Sequence, residues 1–320
     1  MLLLPVHLQV LLCSDKNMIK NKVLLGTLAA FSANLIFGFS FMFSKIATEN
    51  VHPLVFLTLR FSLAFLILNL LLLFKIGKLK LRGKALLPPV ILGICQPLLY
   101  MILEVYGIKY TSSAVSGVII AFVPTIVLIF SGLFLKEKAG FLQYIFAGIS
   151  ILGILIISLF SQSTGKTYLS GIIILIGAVI CAVAYNLINE KIADNYSPFE
   201  RTYITFFVSA LGFNLISPFV VGKGYFSSLV SAFSGVDFII SLLYLSLLSS
   251  VGAFLLYNFA LSNISVIKAS SFSNIIPIVS IFAGVFILNE KLTITQLIGC
   301  ILIIIGVYGV NKFKTVKKES

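Results

Sequence analysis

Long apolar runs of about twenty residues, separated by short polar segments, dominate this sequence. A helix of that length crosses the roughly 30 Å hydrocarbon core of a bilayer, because each residue adds about 1.5 Å. The mean hydropathy of +1.13 and the 10% share of charged residues lie far outside the range of soluble globular chains. The runs do not alternate with period two, which disfavours a transmembrane barrel. The sequence therefore predicts an all-α integral membrane protein.

Ten such runs can be delimited. They cover approximately residues 23–44, 53–74, 85–106, 112–135, 140–160, 168–189, 199–221, 236–258, 265–288 and 293–311. So little sequence lies outside them that a separate soluble domain has no room. Whatever the protein does is expected to take place within the helix bundle.

A segment of the first half recurs in the second half, 153 residues later and without a gap. Its landmarks Pro124, Glu137, Lys138, Gln143 and Gly153 reappear as Pro277, Glu290, Lys291, Gln296 and Gly306. The spacing of these residues carries the signal, because apolar matches arise easily at this composition. An internal repeat in an apolar chain is typical of transporters built from two related halves.

The distribution of lysine and arginine predicts the orientation of the chain. Sixteen of the 23 basic residues, Arg201 among them, fall in segments on the side of the N-terminus, and five fall on the opposite side. The positive-inside rule then places both termini in the cytoplasm. Each repeat holds five spans, an odd number, so the fold is expected to be ten transmembrane helices arranged as two inverted-topology five-helix repeats. The lysine-rich segments suit a multi-pass protein of the plasma membrane.

The fronts of the two repeats also correspond, since Pro53 and Pro198 each follow a Lys-Ile-Ala triplet and are expected to open a helix. The stretch before Met18 lacks signal-peptide features. We expect it to be an upstream extension outside the native protein, with a short interfacial segment as the alternative. The predicted organisation is an N-terminal extension (1–22), a first repeat (23–160), a linker (161–167), a second repeat (168–311) and a basic cytoplasmic tail (312–320).

A five-helix unit with proline midway along its fourth helix, then a Glu-Lys turn, then Gln and Gly in the fifth, resembles the EamA domain of the drug/metabolite transporter superfamily. The first half also carries the Pro53 to Arg60 spacing of that pattern, whereas Thr205 stands at the matching place after Pro198. The resemblance covers nearly everything from residue 23 to 311. It implies a ten-helix carrier of small organic solutes, commonly an exporter, with a central cavity between its halves. It implies no particular substrate.

Cysteine and histidine form no recognisable metal or catalytic set. The four cysteines are far apart in sequence, and both histidines lie outside the apolar runs. No cofactor, metal or enzymatic activity is therefore expected. The net charge of +13 is explained by topology, so we expect no nucleic-acid partner. The expected partners are a small-molecule substrate, the lipid bilayer and protons as a coupling ion, and a homodimer is an open alternative.

Two charged residues stand inside the predicted helices at unusual places. Arg60 lies seven residues into the second span, and an intramembrane arginine normally faces a partner or water. Three interpretations are open: an ion pair with Glu104 of the third span, recognition of a substrate carboxylate, or snorkelling to the outer headgroups. Glu104 is the only acid within a span, and it is a candidate for coupling proton movement to export.

Pro124 and Pro277 are expected to kink the fourth and ninth helices, because proline frees the carbonyls of Ile120 and Ser273. Such irregular backbone in a bilayer is packed against protein or lines a wet cavity. The candidate substrate path comprises Asn34, Arg60, Gln96, Tyr100, Glu104, Pro124, Tyr185, Asn186, Tyr257, Ser273, Asn274 and Pro277, with Ser40, Ser249, Ser250 and Asn258 as weaker candidates. Helix packing is the alternative role for these residues. Glu137 and Glu290 are expected to cap the fifth and tenth helices.

The leading functional prediction is a secondary transporter that moves small organic metabolites by alternating access through a central cavity. Export of amino acids or related compounds is the first choice. The alternative is an uptake permease for a sugar, nucleotide sugar or other solute. A non-transporting membrane scaffold and a membrane enzyme are remote alternatives, since few titratable groups converge within the bundle.

Overall fold

The computed structural model is built almost entirely from helices, and each predicted apolar run contains one. It describes residues 6–49, 51–110, 119–135, 137–159, 169–233, 235–288, 293–313 and 316–317. In chain order the helices are α1 (Val6–Thr48), α2 (Pro53–Leu73), α3 (Leu87–Gly93, Ile94–Leu99 and Tyr100–Lys109 in succession), α4 (Val123–Phe134), α5 (Phe141–Leu159), α6 (Leu169–Lys191), α7 (Pro198–Val221), α8 (Val236–Leu243, Tyr244–Gly252 and Ala253–Leu261), α9 (Val266–Ser271, Phe272–Ile275 and Ile276–Leu288) and α10 (Ile294–Lys312). A 3₁₀ turn (Gly222–Gly224) and a short helix (Tyr225–Ala232) connect α7 to α8.

Within the described residues, eight helices are long and apolar enough to cross a membrane, while α4 and α5 are shorter apolar helices. The start of the fourth predicted span, residues 111–118, and the predicted linker, residues 161–167, lie outside the described residues. At its N-terminal end α1 begins at Val6, well before the expected boundary at residue 23. The helical run therefore continues through residues 6–22 of the expected N-terminal extension.

The predicted prolines do open the second helix of each half. Pro53 begins α2, where the His52 imidazole accepts a hydrogen bond from the Leu54 N–H at 3.2 Å. Pro198 begins α7 behind a capping box, in which Glu200 and Ser197 each accept a hydrogen bond from the backbone N–H of the other. A proline costs nothing at this position, because its missing N–H would have no partner inside the helix.

The starts of α5 and α10 are capped by glutamine, which corrects the expectation for Glu137. That residue lies in β1 (Glu137–Lys138), which pairs antiparallel with β2 (Val316–Lys317), and α5 begins only at Phe141. Gln143 Oε1 accepts from the Gly140 N–H at 3.0 Å, and Gln296 Oε1 accepts from the Thr293 N–H at 2.9 Å. The repeated glutamine, at the third helical position, thus accepts from the free N–H of the residue that precedes the helix, as in a capping box. Glu290 lies outside the described residues.

Breaks in helix geometry occur at matching places in both halves. The π-helical segment of α3 ends at Leu99 and that of α8 ends at Gly252, 153 residues later. The α-helical segments that carry the two prolines begin at Val123 and Ile276, again 153 residues apart. Each proline is therefore the second residue of a new segment, where its missing N–H breaks no helical bond. The kinks expected at Pro124 and Pro277 take the form of these breaks.

The main contacts between α1–α5 and α6–α10 form a symmetric set. α1 packs against α8 and α9, and α6 packs correspondingly against α3 and α4. Likewise α2 packs against α8, and α7 against α3. The remaining pairs join equivalent helices: α2 with α7, α4 with α9, and α5 with α10. If α1–α5 are exchanged with α6–α10 in order, so that α1 takes the place of α6 and α2 that of α7, the same set of helix contacts results.

Glycines bring α5 and α10 into close contact. A Cβ atom added to Gly153 would lie 2.6 Å from the carbonyl oxygen of Gly299, and one added to Gly306 would lie 2.7 Å from that of Phe146. Later residues of α5 thus meet earlier residues of α10, so the two helices run antiparallel. Small residues allow such backbone approach in membrane helices.

Candidate functional site

Arg60 lies inside the helix bundle and joins three helices. Its side chain is only 4% exposed. Nε donates to Ser250 Oγ at 2.9 Å and Nη2 donates to Ser249 Oγ at 3.1 Å, while Ser40 of α1 donates to Ser249 at 2.8 Å. We call these four residues the Arg60 cluster. The guanidinium is thus held by α8 inside the bundle, which disfavours snorkelling to the headgroups.

Glu104 has a different partner from the one expected. Its Oε1 accepts a hydrogen bond from the Tyr100 hydroxyl at 2.8 Å, one turn earlier on α3. Arg60 and Glu104 act on each other electrostatically, yet no ion pair forms between them, and the ion pair found in the described part of the chain joins Lys84 to Glu200. The expectation of a structural Arg60–Glu104 ion pair is therefore wrong.

Arg201 is a second buried arginine, whose burial the sequence interpretation did not anticipate. It was counted among the basic residues on the cytoplasmic side, and its side chain is 0% exposed near the start of α7. Nη1 donates to Asn189 Oδ1 at 2.6 Å and to Asn189 O at 3.1 Å. Nη2 donates to Asn258 O at 2.6 Å and to Ser262 Oγ. The sequence signal that could have revealed it is the Ser197 and Glu200 capping box, which places Arg201 one turn inside the helix.

Three predicted residues of the second half lie together beside Arg201. Tyr185 donates to Asn258 Oδ1 at 3.3 Å, and Asn189 Nδ2 donates to the same oxygen at 2.6 Å. The Tyr257 hydroxyl donates to Asn186 Oδ1 at 2.5 Å. All of these side chains are buried between α6 and α8. Asn189, like Arg201, was not among the predicted residues.

A small cavity lies between α4, α5, α9 and α10. It is lined by Pro124, Leu128, Ala147, Ser150, Asn274 and Gly306, among others. Asn274 Nδ2 donates to Ser150 Oγ at 2.9 Å, whereas Asn274 Oδ1 is buried without a hydrogen-bond partner. Two predicted residues, Pro124 and Asn274, thus meet at this cavity.

The other predicted residues lie apart from these groups. Asn34 is 1% exposed and donates to the Ala30 carbonyl of its own helix at 2.8 Å. Gln96 is half-buried at the break in α3, with φ of −151° and ψ of 128°. Ser273 donates to the Ser270 carbonyl at 2.8 Å, and Pro277 follows in the next segment of α9. Among the residues that the structure describes, no three His, Cys, Asp or Glu side chains are placed to hold a metal ion.

Both halves of the chain match one family. The model of the EamA-like transporter family covers residues 24–159 and 169–312. The chain belongs to the EamA-like transporter family. This EamA-like transporter is a multi-pass membrane protein, and its family points to transport rather than to enzymatic catalysis.

Similar proteins carry the same kind of description. An uncharacterized transporter of Bacillus subtilis (strain 168), YcxC, is 30% identical over 299 residues, which cover 92% of this chain and 95% of that protein. An uncharacterized transporter of Archaeoglobus fulgidus is 27% identical over 271 residues, covering 85% and 93%. A crystal structure of a protein with 16% sequence identity matches with a TM-score of 0.71 over 90% of this chain and 96% of that one, and so shares the fold.

Proposed function

We propose that this EamA-like transporter is a secondary carrier that moves small organic metabolites across the plasma membrane by alternating access. Amino acids or related compounds are the proposed cargo, and export is the proposed direction. The observation that carries the proposal is the symmetric set of contacts between α1–α5 and α6–α10. Carriers of this type work by rocking two related halves around a site near the middle of the membrane.

The same contacts support two inverted five-helix repeats, residues 23–160 and 168–311. The lysine and arginine distribution supports placing both termini in the cytoplasm. Two repeats of the same orientation would bring α5 and α10 together in parallel. The glycine contacts pair Gly153 with Gly299 and Gly306 with Phe146, which is the register of antiparallel helices. The antiparallel register follows when the second repeat enters the membrane from the opposite side.

The substrate path is proposed to lie between the halves, along the helices whose geometry is interrupted. Those are α3, α4, α8 and α9, and they carry Gln96, Pro124 and Pro277 at or beside the breaks. Sharp bends in helices occur at prolines and π-helical segments, where the regular α-helical hydrogen-bond pattern is interrupted. We therefore propose that these breaks are the hinges of the alternating-access motion.

Glu104 is proposed to couple proton movement to transport. It lies within the third predicted span, and Tyr100 donates a hydrogen bond to it. Replacing Glu104 with Gln keeps the shape of the side chain but removes its exchangeable proton. In liposomes, Glu104→Gln should abolish flux driven by a pH gradient while substrate exchange without a gradient continues. Full gradient-driven flux by this variant would disprove the coupling role.

The proposed function is tested first in cells and then with the purified protein. Cells lacking the protein and cells overproducing it are compared by metabolite profiling, and the compounds that change most are assayed for flux in liposomes. An exporter raises the external level of its substrate when overproduced, whereas an uptake permease lowers it. If no compound changes in cells and none crosses liposomes containing the folded protein, the proposal is wrong.

A further inference from the structure

The connection between α2 and α3 carries a dense group of positive charges. No acidic residue lies between residues 74 and 86, and the five basic residues there are Lys75, Lys78, Lys80, Arg82 and Lys84. We call residues 75–84 the basic loop. The equivalent connection of the second repeat, between α7 and α8, contains a single basic residue, Lys223. The repeated architecture therefore does not require these charges.

Glu200, in the first turn of α7, anchors the basic loop to the second repeat. Its Oε1 accepts a hydrogen bond from the Lys80 backbone N–H at 2.7 Å, and its Oε2 accepts from Lys84 Nζ at the same distance. The Glu200 side chain is only 2% exposed, so this ion pair is partly withdrawn from water. Within the described chain, no ion pair is formed by the other basic residues of the loop, Lys75, Lys78, Lys80 and Arg82.

Two further contacts hold the loop near its ends. A Cβ atom added to Gly77 would lie 2.1 Å from the ring of Phe199, so a side chain there would push the loop and the ring apart. Toward the other end, the Tyr196 hydroxyl donates a hydrogen bond to the Ala85 carbonyl. Tyr196 and Phe199 belong to the turn between α6 and α7 and to the start of α7. This α6–α7 turn thus holds the basic loop in one conformation.

Exposure alternates along the middle of the basic loop. Lys78, Lys80 and Arg82 are exposed, whereas Leu79 and Leu81 between them are partly buried. Side chains of an extended segment alternate between its two sides. The segment therefore has an apolar side against the protein and a basic side with three neighbouring charges.

Lys75 adds a fourth charge at a backbone position that usually belongs to glycine. Its φ is 59°, in the left-handed region that other residues adopt only at a cost. The chain turns there at the end of α2, and the N–H groups of Ile76 and Gly77 both donate to the Leu71 carbonyl. Glycine has no such cost and is the common residue after a helix end. A cation at this place is favoured by the free carbonyls of α2 and extends the basic surface.

Exposed apolar side chains stand at both ends of the basic loop. Each of the following is at least half exposed: Leu73, Phe74, Ile76, Leu86 and Leu87. They continue the apolar spans α2 and α3, so they are expected to reach the hydrocarbon of the bilayer. The few residues between them cannot extend far into the aqueous phase. The basic loop therefore lies at the membrane surface.

We infer that the basic loop is a binding surface for anionic phospholipid headgroups, held in shape by the α6–α7 turn. Basic residues that follow a transmembrane helix attract anionic lipids, and several within one short segment act together. Lipid phosphate oxygens accept hydrogen bonds from the N–H groups of lysine and arginine. A soluble acidic partner would match the charges but not the apolar side chains beside them. The binding concerns the lipid and not the cargo, so it holds for a carrier of any solute.

Thermal unfolding of the purified protein in non-ionic detergent tests this inference, with phosphatidylglycerol and phosphatidylcholine as the added lipids. A ligand that binds the folded state raises the melting temperature, and the dependence on lipid concentration gives the affinity. Phosphatidylglycerol should raise the melting temperature more than phosphatidylcholine, whose headgroup has no net charge. About 0.5 M NaCl should suppress this difference, because salt screens exposed charges.

Neutralising the exposed strip should weaken lipid binding according to the charge removed. A variant that combines Lys78→Gln, Lys80→Gln and Arg82→Gln should bind phosphatidylglycerol about fivefold more weakly for each lost charge, or about a hundredfold in all. All three side chains are exposed, so this variant should fold. Lys223→Gln, in the equivalent connection of the second repeat, is the matched control and should keep the wild-type affinity.

Two other variants test whether the α6–α7 turn shapes the surface. Gly77→Ala displaces the loop from Phe199 without a change of charge, and Glu200→Gln releases Lys84 and makes the region more positive. Both should weaken phosphatidylglycerol binding if the turn holds the charges in place. Unchanged binding by Gly77→Ala, or stronger binding by Glu200→Gln, would overturn that role of the turn. If Glu200→Gln does not fold, Gly77→Ala decides alone.

The lipid assignment fails if the two lipids give equal shifts in melting temperature, or if the triple variant keeps its affinity for phosphatidylglycerol. It also fails if inorganic phosphate alone reproduces the shift, since the site would then bind a soluble anion. A shift that requires phosphatidylglycerol, falls in the triple variant and persists in Lys223→Gln supports the inference.

Discussion

The two buried arginines show that burial alone does not assign a role to a residue. Arg60 contacts two serine hydroxyls, whereas Arg201 binds two backbone carbonyls at helix ends as well as side chains. Arg201 thereby fastens the ends of α6 and α8 to the start of α7. Its bonds all lie within the second repeat, so it should stabilise that repeat in every state of a transport cycle.

Removing the Arg201 guanidinium should therefore destabilise the fold more than it affects substrate choice. Arg201→Gln loses several charge-assisted bonds and leaves buried carbonyls unpaired, with an expected cost of about 3 kcal/mol or more. The apparent melting temperature of the purified protein in detergent measures this loss. Arg82→Gln, on an exposed side chain, should change stability by less than about 0.5 kcal/mol. A wild-type melting temperature for Arg201→Gln would contradict the structural role.

Sequence reasoning anticipated the burial of Arg60 but not that of Arg201, for a physical reason. Arg60 stands deep in an apolar run, so its intramembrane position is visible in the sequence. Arg201 is near a helix start, where basic residues usually face water, and its acceptors are carbonyls and side chains at the ends of α6 and α8. Those ends come from distant parts of the chain. The partners of Glu104 and Arg60 were likewise hidden, because the choice between an ion pair and hydroxyl contacts depends on packing.

At the scale of helices, the repeated glycines fix how closely α5 and α10 approach. Gly153 faces the backbone of Gly299, which cannot move aside as a flexible side chain would. Gly148 lies on the same helix, but a Cβ atom added there would meet nothing within 4 Å. The two positions form a matched pair for separating contact from helix propensity.

Gly153→Ala should lower stability by about 1 to 3 kcal/mol, since the added methyl group forces the helices apart. Gly148→Ala should leave stability unchanged or raise it by up to about 1 kcal/mol, because alanine favours the helix. Thermal unfolding of both variants in the same detergent provides the comparison. Equal effects of the two substitutions would show that the close approach contributes nothing to stability.

The repeat predicted several elements because proline, glutamine and glycine have restricted or specific backbone roles. Pro53 and Pro198 open helices as expected, and the breaks before Pro124 and Pro277 fall in matching places. The glutamate of the Glu-Lys turn was given a capping role that the following glutamine performs. Both residue types satisfy free N–H groups near a helix start, so composition alone does not choose between them.

At the scale of the whole molecule, the inverted arrangement predicts which segments face which side. Lys138 and Lys317 belong to paired strands, so both should be cytoplasmic, whereas Lys291 should be external. Single cysteines at these positions, in a chain with its four cysteines replaced by serine, can be labelled in intact cells with an impermeant maleimide. Labelling of Lys291→Cys alone is expected, and equal labelling of Lys138→Cys would refute the inverted topology.

The pairing of β1 with β2 is a contact between distant parts of the chain that lies outside the helices. It joins the connection between α4 and α5 to the residues that follow α10. The strand pair thus connects the end of α10 to the start of α5. If the halves rock, the strand pair either moves with α5 and α10 as one rigid block or separates. Two spectroscopic labels, one on each strand, would distinguish these outcomes.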